Sequence, residues 1–272
     1  MPEIVEIEIL KREVKAQLKD AVIKEAFANK ETIINVNKDE FALLLKDKRI
    51  IDTRRKGKVL IIDLSSDISI VIHFLLTGTL RLLSHCDKEK IQVGFILKDG
   101  RCLAISGIMR GGFVKVVNSK DVFNVPELKK LGIDAMDKDF TLDIFKKIVQ
   151  ANGKKKIKQI LMDQTLIAGI GNAYSDEILF NASVLPMRKA NTLSSGEIEK
   201  IYQSISKVFN ESFSYGGEST LTFVHLNGEK GKYQEHFKVH KRAGKPCLVC
   251  GTPIETAKVG GRTSFFCPHC QK

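Results

Sequence analysis

The stretch CLVCGTPIETAKVGGRTSFFCPHC, residues 247–270, decides how the end of this chain folds. It contains two Cys-x-x-Cys pairs separated by sixteen residues, a spacing typical of zinc sites. Each pair offers two thiolates from one tight turn, and two facing pairs complete a tetrahedron around one structural Zn²⁺ with no open position. The predicted metal ligands are Cys247, Cys250, Cys267 and Cys270.

The residues between these pairs predict a short β-hairpin. Gly260-Gly261 separates two short runs of strand-forming residues, and a hairpin of this size needs the metal in order to fold. Two alternatives stay open, namely free thiols at a coincidental spacing and competition from His269 for one ligand position. Cys86 and Cys102 do not have metal-binding spacing, and we expect them to be buried free thiols.

The chain of 272 residues is strongly basic, with 44 Lys+Arg, 32 Asp+Glu and a net charge of +12. The surplus is clustered, because residues 229–272 hold nine basic and three acidic side chains. Residues 141–172 add six lysines against two aspartates. Clustered positive charge is typical of surfaces that bind a polyanion, most often nucleic acid. For the run Lys154–Lys158 taken alone, a solvated helix start is the competing interpretation.

The composition excludes two classes of protein. Hydrophobic residues make up 43% of the chain, which is enough for packed cores and excludes a disordered tail protein. No stretch approaches the roughly 20 apolar residues of a membrane span. The start MPEIVEIEIL is acidic, whereas a secretory signal is basic. We therefore expect a cytoplasmic protein without a membrane partner.

Hydrophobic periodicity predicts an α+β fold of two domains. Residues 4–19 have a helical period, residues 30–118 read as short strands broken by turns, and residues 121–215 are helical again. This pattern predicts an N-terminal helix and β-sandwich, then a helical bundle with a zinc-binding β-hairpin. The predicted segments are 1–120, 121–228 and 229–272, and the last is expected to pack with the helical segment.

The corner Gly169-Ile170-Gly171-Asn172 lies between two helical stretches. Asn172 is suited to N-cap the second helix, and the glycines allow a ligand to approach the backbone. The exposed amides of a helix N-terminus bind anions readily. The alternative is a helix–turn–helix corner without a ligand.

Five stretches of the sequence, taken together, resemble a known family. MPEIVEIE at the start, RRKGKVL at 54–60, HFLLTG at 73–78, IKQILMDQTLIAGIGNAYSDEILFNASVLP at 157–186 and the cysteine hairpin occur in the expected order. The chain resembles the formamidopyrimidine-DNA glycosylase/endonuclease VIII family, and GGESTLTFVHLNGEKGKYQ at 216–234 is more similar to the first branch. The resemblance implies a catalytic β-sandwich domain and a DNA-binding helix–two-turn–helix bundle.

The resemblance also implies the chemistry of the N-terminus. Family members lose the initiator Met, so the amine of Pro2 would attack the sugar C1′ and form an iminium. Glu3 matches the acid/base carboxylate and Glu6 a second carboxylate that supports the network. The implied activity is removal of oxidised bases, namely ring-opened purines and 8-oxoguanine, followed by strand cleavage through β,δ-elimination. For the N-terminus alone, Pro and Glu as good helix starters are the alternative explanation.

Further positions match family residues that hold DNA phosphates. Lys58 matches a catalytic lysine beside the phosphate of the lesion, and Arg54, Arg55 and Lys56 are expected to flank the DNA. The residues that the resemblance implies to contact DNA are His73, Arg110, Lys158, Asn172 and Arg262. For His73, which lies in an apolar strand, a satisfied core histidine is the alternative. Such contacts would hold an everted nucleotide without reading sequence.

The chain departs from the family in the residues that fill the DNA stack. Leu76 replaces a Met that fills the gap of the everted base, a change that nearly conserves volume. Where the family has Asp-Pro-Arg-Arg-Phe-Gly, this chain has GIMRGG at 107–112. A gapless alignment puts Met109 in place of the arginine that reads the orphaned base and Gly111 in place of the wedging Phe. Arg110 and Phe113 could substitute only if the loop is shifted.

The leading hypothesis is a bifunctional DNA glycosylase and abasic-site lyase, which acts as a monomer on double-stranded DNA with oxidised bases or abasic sites. The altered 107–112 loop motivates two alternatives on the same scaffold. One is an abasic-site lyase with little base removal, and the other is a DNA-binding protein without catalysis. We expect the protein to associate with a bacterial nucleoid.

Overall fold

The computed structural model describes residues 2–219 and 221–272. The chain divides into two compact units. The first combines residues 1–129 with 215–232, and the second combines 130–214 with 233–272. The 215–232 loop thus groups with the N-terminal unit, whereas the sequence analysis placed most of it in the helical segment. Within the described residues, no helix has the length and apolarity that crossing a membrane requires.

The first unit begins with helix α1, Ile4–Leu18. Glu3 occupies the N-cap position and Glu6 lies in the first turn, where the helix dipole favours negative charge. The helical spacing of apolar residues predicts one buried stripe. The stripe is buried along the helix at Ile7, Leu10, Val14 and Leu18.

In the described residues, the strands of the first unit form two four-stranded antiparallel sheets with orders β1-β6-β7-β5 and β2-β3-β4-β8. The strands are β1 Ile23–Ala28, β2 Ile50–Lys56, β3 Val59–Leu64, β4 Ile68–His73, β5 Thr79–Leu83, β6 Val93–Leu97, β7 Cys102–Ser106 and β8 Phe113–Asn118. The central strands β3 and β4 are nearly continuous buried apolar runs, as strands covered on both faces must be. The predicted β-sandwich with an N-terminal helix is confirmed.

Helix α2, Lys38–Leu45, lies where the sequence pattern indicated strands. Asn37 caps it by accepting a hydrogen bond from the backbone N–H of Glu40 at 2.9 Å. Phe41 and Leu45 are its buried apolar contacts. With two buried residues the helical period is too short to recognise, so the cap is the local signal that decides the structure.

The two cysteines outside the hairpin do not remain free thiols. Cys86 and Cys102 form a disulfide, with Cα atoms 5.4 Å apart. Cys102 is buried on β7 beside Ile91 and Ala104. The expectation of two free thiols is therefore wrong, because β7 and the turn after β5 bring the two residues together.

The second unit is mainly helical. After the short helix α3, Pro126–Lys129, at the end of the first unit, its elements are β9 Ile133–Asp134, α4 Leu142–Ala151, α5 Ile157–Met162, β10 Ile167–Ala168, α6 Asn172–Asn181 and α7 Ser195–Ser214. The short strands β9 and β10 pair in parallel. Helices α4 to α7 all lie within residues 121–215, the stretch that the sequence pattern predicts to be helical.

The hairpin near the C-terminus forms as predicted. Strands β11, Glu255–Val259, and β12, Arg262–Phe266, pair antiparallel with Val259 opposite Arg262. Gly260 and Gly261 form the two-residue connection with φ of +58° and +76°. A two-residue hairpin turn of this kind requires positive φ at both positions, which explains the glycine pair.

Candidate functional site

Two buried carboxylates stand at the start of α1, directly after Pro2. Glu3 is 5% exposed and Glu6 is fully buried. The backbone N–H of Glu3 donates to Glu6 Oε2 at 2.8 Å, one half of a capping-box geometry. This contact fixes the backbone that leads from Pro2 into the helix.

The second oxygen of Glu6 holds the 215–232 loop. Glu6 Oε1 accepts a hydrogen bond from the backbone N–H of Glu218 at 2.8 Å. Gly217 has a φ of +83°, and a Cβ added there would lie 3.1 Å from Glu6 Oε1. The loop can therefore approach the carboxylate only with glycine at this position. One carboxylate joins the helix start to a segment 212 residues further along the chain.

Three of the predicted site features lie together at one end of strands β3, β4 and β8 in the second sheet. Val59 lies opposite His73, and His73 lies opposite Phe113. Lys58 immediately precedes Val59 and is 8% exposed, whereas His73 is half-buried. Lys58, His73 and the 107–112 loop that leads into β8 therefore lie at the same end of these neighbouring strands.

The arginines beside Lys58 are engaged within the protein. Arg54 donates two hydrogen bonds to Asp63, at 2.6 and 2.7 Å. Arg55 is buried and pairs with Glu8 at 3.1 Å. Their guanidinium groups stabilise the sheet and α1, but the Arg54 side chain is still 35% exposed, and the expectation that these arginines flank a DNA path stays a prediction. The role of Lys56 stays a prediction.

Two neighbouring turns present exposed side chains. Leu76 is 46% and Met109 is 49% exposed, and Arg110 beside Met109 is exposed as well. The hydroxyl of Thr77 donates to the carbonyl oxygen of Gly107 at 2.5 Å. This contact holds the two turns together, so that Leu76, Met109 and Arg110 form one exposed group, which we call the turn tip.

Phe113 does not belong to the turn tip. It is 7% exposed and belongs to the core beside Val59 and Val71. Its ring centroid lies 5.6 Å from that of His73, and the Lys115 ammonium lies 4.6 Å from the ring. A shift of the loop that would bring Phe113 to the turn tip is therefore contradicted, because its place in the sheet is fixed by pairing.

In the second unit, Lys158 lies inside the protein. Its ammonium group is 2.5 Å from Asp176 Oδ1, and both side chains are fully buried. His240 Nδ1 lies 2.8 Å from the other oxygen of Asp176. The predicted contact of the Lys158 side chain with DNA is contradicted, because the group is shielded from solvent. Lys158 instead joins α5 to α6.

A second buried carboxylate on α6 organises the segment before the hairpin. Glu177 accepts hydrogen bonds from the backbone N–H groups of Lys238, Val239 and His240 at 2.8 to 3.0 Å. Burial raises the pKa of Glu177, although the three donors act in the opposite direction. Asp176 and Glu177 together attach residues 238–240 to α6.

Asn172 and Arg262 are brought together at the start of α6. Gly171 is the N-cap of this helix, so the predicted cap at Asn172 is wrong by one residue. The Asn172 side-chain amide instead donates to the carbonyl oxygen of Thr263 at 3.2 Å. The adjacent Arg262 is exposed and lines a cavity of ≈ 340 Å³ together with Lys155. Asp163 lines the same cavity and pairs with Lys155 at 3.1 Å, which reduces the positive charge of this surface.

The four hairpin cysteines converge as a metal site requires. Their sulfur atoms all lie within 4.8 Å of one another, with Cys247 and Cys270 3.9 Å apart and Cys250 and Cys267 3.5 Å apart. Zinc–sulfur bonds of about 2.3 Å in a tetrahedron place sulfurs roughly 3.8 Å apart, so the residues fit one structural Zn²⁺. Burial raises the pKa of Cys267, and a bound cation would hold this thiol as a thiolate.

Three family models match the chain. They are the formamidopyrimidine-DNA glycosylase N-terminal domain over residues 1–114, the H2TH domain of the same glycosylase over 131–224, and a zinc finger found in FPG and IleRS over 244–272. Formamidopyrimidine-DNA glycosylase of Listeria innocua is 35% identical over the full length of both chains. That of Pelotomaculum thermopropionicum is 34% identical, with 100% of this chain and 99% of the relative covered.

Solved structures agree with this assignment. The Lactococcus lactis Fpg in complex with abasic-site DNA has a TM-score of 0.89 and 28% identity, with 99% of each chain covered. The MutM (Fpg) protein of Thermus thermophilus has a TM-score of 0.87 and 29% identity, with 99% of this chain and 98% of that chain covered. The chain belongs to the formamidopyrimidine-DNA glycosylase family, whose members are enzymes with DNA glycosylase and abasic-site lyase activity.

Several residues that build the site are absent from the sequence-based prediction. Glu218 reaches Glu6 from 212 residues away, and Asp176 reaches Lys158 from an adjacent helix. In Asp176-Glu177, two acids directly precede the apolar run ILF at 178–180 of α6. That signal could have indicated buried partners, because isolated buried charges are costly.

Proposed function

We propose that this chain is a bifunctional DNA glycosylase and abasic-site lyase of base excision repair that acts on double-stranded DNA as a monomer. The observation that carries the proposal is the pair of buried carboxylates directly after Pro2, with Glu6 bonded to both Glu3 and Glu218. An N-terminal amine has a pKa of about 8, against about 10.4 for lysine, so a larger fraction of it is unprotonated near neutral pH and it is the better nucleophile.

The proposed reaction begins at the Pro2 amine after removal of the preceding methionine. The nitrogen forms a bond to the sugar C1′, the bond from C1′ to the base breaks, and the base leaves with a proton. The amine loses its proton, and Glu3 donates a proton to the ring oxygen O4′ as the C1′–O4′ bond breaks and the C1′=N iminium forms. The resulting iminium acidifies the hydrogen on C2′, and loss of that proton breaks the C3′–O bond. A second elimination breaks the C5′–O bond and completes β,δ-elimination.

Phosphate contacts would hold the everted nucleotide for this chemistry. We assign them to Lys58 and His73 in the first unit, and to Asn172 and Arg262 in the second. Lys58 and His73 lie at the same end of the paired strands β3 and β4. The Asn172 side chain donates a hydrogen bond to Thr263, the residue after Arg262. Lys158 acts as a positioning residue that keeps α5 and α6 together. One structural Zn²⁺ would hold the hairpin that carries Arg262.

The turn tip supports a substrate proposal. Leu76 and Met109 offer exposed apolar surface, which suits filling the space left by an everted base. A thioether has no hydrogen-bond donor, so discrimination of the opposite base would depend on Arg110. We therefore propose a weaker preference for the opposite base than an arginine at position 109 would give. Ring-opened purines are proposed as lesions on the family resemblance alone.

Borohydride trapping tests the proposal. The protein, with a confirmed free Pro2 amine, is incubated with duplexes that carry formamidopyrimidine, 8-oxoguanine, dihydrothymine or an abasic site. We expect a covalent adduct on formamidopyrimidine and abasic DNA. Adduct on abasic DNA alone would favour the lyase alternative, which the altered 107–112 loop motivates. No adduct on any duplex would leave a DNA-binding protein without catalysis.

The Pro2→Gly variant tests whether Pro2 is the nucleophile. A primary amine replaces the secondary amine and the constraint of the ring is lost, so we expect trapping to slow about a hundredfold. Binding to a duplex with a stable abasic-site analogue is the control and should change little. Unchanged trapping in this variant would exclude Pro2 as the nucleophile.

A further inference from the structure

A cluster of hydrogen bonds joins the 215–232 loop to the middle of α1. Glu13 Oε1 lies 2.6 Å from His225 Nδ1, and Glu13 Oε2 accepts from the backbone N–H of Leu226 at 3.0 Å. His225 Nε2 lies 2.9 Å from the carbonyl oxygen of Gly216. These contacts tie Gly216, His225 and Leu226 to one another and to α1. We call Glu13, His225 and Gly216 the loop clasp.

The loop clasp requires a charged histidine. Both ring nitrogens of His225 face acceptors, a carboxylate on one side and a carbonyl oxygen on the other. Only the imidazolium carries hydrogen on both nitrogens, so only the protonated ring satisfies both acceptors. In the described residues, the charged groups that act on the ring are Glu13 on α1 and Glu229 in the loop. The hydrogen bond from Glu13 raises the pKa of His225, against the effect of partial burial.

The loop clasp is connected through Glu218 to the carboxylates at the start of α1. Gly216 is two residues before Glu218, whose N–H is bonded to Glu6. The other oxygen of Glu6 is bonded to the N–H of Glu3. On its far side, the loop reaches the turn tip, because the Thr222 hydroxyl lies 3.3 Å from the carbonyl oxygen of Leu76. A change in the loop is therefore passed to Glu6 and to the turn tip.

We propose that Glu13 and protonated His225 are positioning residues that fasten the 215–232 loop to α1 and so set Glu218 against Glu6. Opening of the loop clasp at alkaline pH loosens the contact between Glu218 and Glu6. The effect on activity rests on the function proposed above, whereas the fastening of the loop does not.

The direction of the pH effect follows from linkage between protonation and folding. The folded-state pKa of His225 is raised. The loop clasp therefore stabilises the loop fully below the unfolded value of about 6.5, and this contribution is lost as pH rises through the higher folded-state pKa. Hydrogen bonds to a charged group are stronger than neutral ones, so the loss is measurable.

The first arm of the test needs no DNA. NMR titration should give His225 a pKa above about 6.5, and Glu13→Gln should lower it by about one unit. Exchange of loop amides, corrected for the intrinsic pH dependence, should accelerate about tenfold in Glu13→Gln and in His225→Phe. The exposed His85 of the same unit provides the control, since His85→Gln should leave both readouts unchanged. A His225 pKa at or below the ordinary value, or unchanged loop exchange in both variants, would overturn the proposal.

The second arm measures the rate of borohydride trapping as a function of pH. The wild type should lose rate on the alkaline side, and Glu13→Gln should move this decline to lower pH. In His225→Phe the decline should disappear and leave a lower rate, with the rise from Pro2 deprotonation common to all variants. A decline at the same pH in all three proteins would overturn the link to catalysis. If loop exchange responds as expected and no DNA is trapped, the proposed function fails and the loop clasp stands.

Discussion

Glu6 in the first unit and Asp176 in the second unit are buried carboxylates with different kinds of partner. In the first unit, each oxygen of Glu6 accepts a hydrogen bond from a backbone N–H, and so joins the helix start to a distant loop. In the second unit, Asp176 lies between the cationic Lys158 and the ring of His240. Glu6 orients the chain segment beside Pro2, whereas the Asp176 ion pair fastens α5 to α6. Glu177 shows that the second unit also uses backbone donors, there to attach residues 238–240 to α6. The division therefore lies between two carboxylates, Glu6 at the start of α1 and Asp176 between two helices of the second unit.

Removal of the zinc site should produce the largest effect on this division. Structural zinc contributes about 10–16 kcal/mol of apparent folding free energy in small zinc domains. We expect Cys247→Ser to lose the metal, unfold the hairpin and abolish tight duplex binding. Elemental analysis and binding titration measure both results. Cys86→Ser is the matched control and should keep one zinc ion per chain. Full zinc content and full affinity in Cys247→Ser would disprove the metal assignment.

Loss of the buried ammonium group should be the next largest effect. Lys158→Met leaves Asp176 buried without its cation, which typically costs about 3–5 kcal/mol. Urea unfolding measures this loss. The exposed Lys154 provides the control, and Lys154→Met should change stability by less than about 0.5 kcal/mol. If Lys158→Met were as stable as the control and still lost DNA affinity, a direct contact with DNA would be the better interpretation.

The smallest effect should come from the exposed hairpin arginine. Arg262→Ala removes one phosphate contact, so the slope of log affinity against log salt should decrease in magnitude by about 1. Affinity should fall equally for different sequences, because phosphate contacts do not read bases. Arg101, which is paired with Asp99 on the first unit, is the control and should leave the slope unchanged. An altered sequence preference in Arg262→Ala would argue for base contacts instead.

The features that are local in sequence could be predicted. The spacing of the cysteines indicated the metal site, and Gly260-Gly261 indicated the hairpin turn. The helical period of α1 and the strand pattern from β3 to β8 were equally clear, because burial of one face imposes a period on the sequence. The resemblance to the family supplied the roles of Pro2 and Glu3, which periodicity alone does not reveal.

The contacts between distant residues could not be predicted. Arg55 and Lys158 look like solvent-exposed cations in sequence, yet Glu8 and Asp176 bury them. Phe113 was a candidate to replace the wedging Phe if the 107–112 loop were shifted, but strand pairing with His73 holds it in the sheet. Each outcome depends on which elements pack together, and no local pattern encodes that. The Glu13–His225 contact spans 212 residues for the same reason.

The most direct test of the central claim is to locate the covalent bond. Duplex DNA with an abasic site is trapped with borohydride, the complex is digested, and the modified peptide is identified by mass spectrometry. The account predicts a sugar remnant on the nitrogen of Pro2, in the peptide that begins at that residue. A remnant on Lys58 or on any other lysine, with Pro2 unmodified, would contradict it.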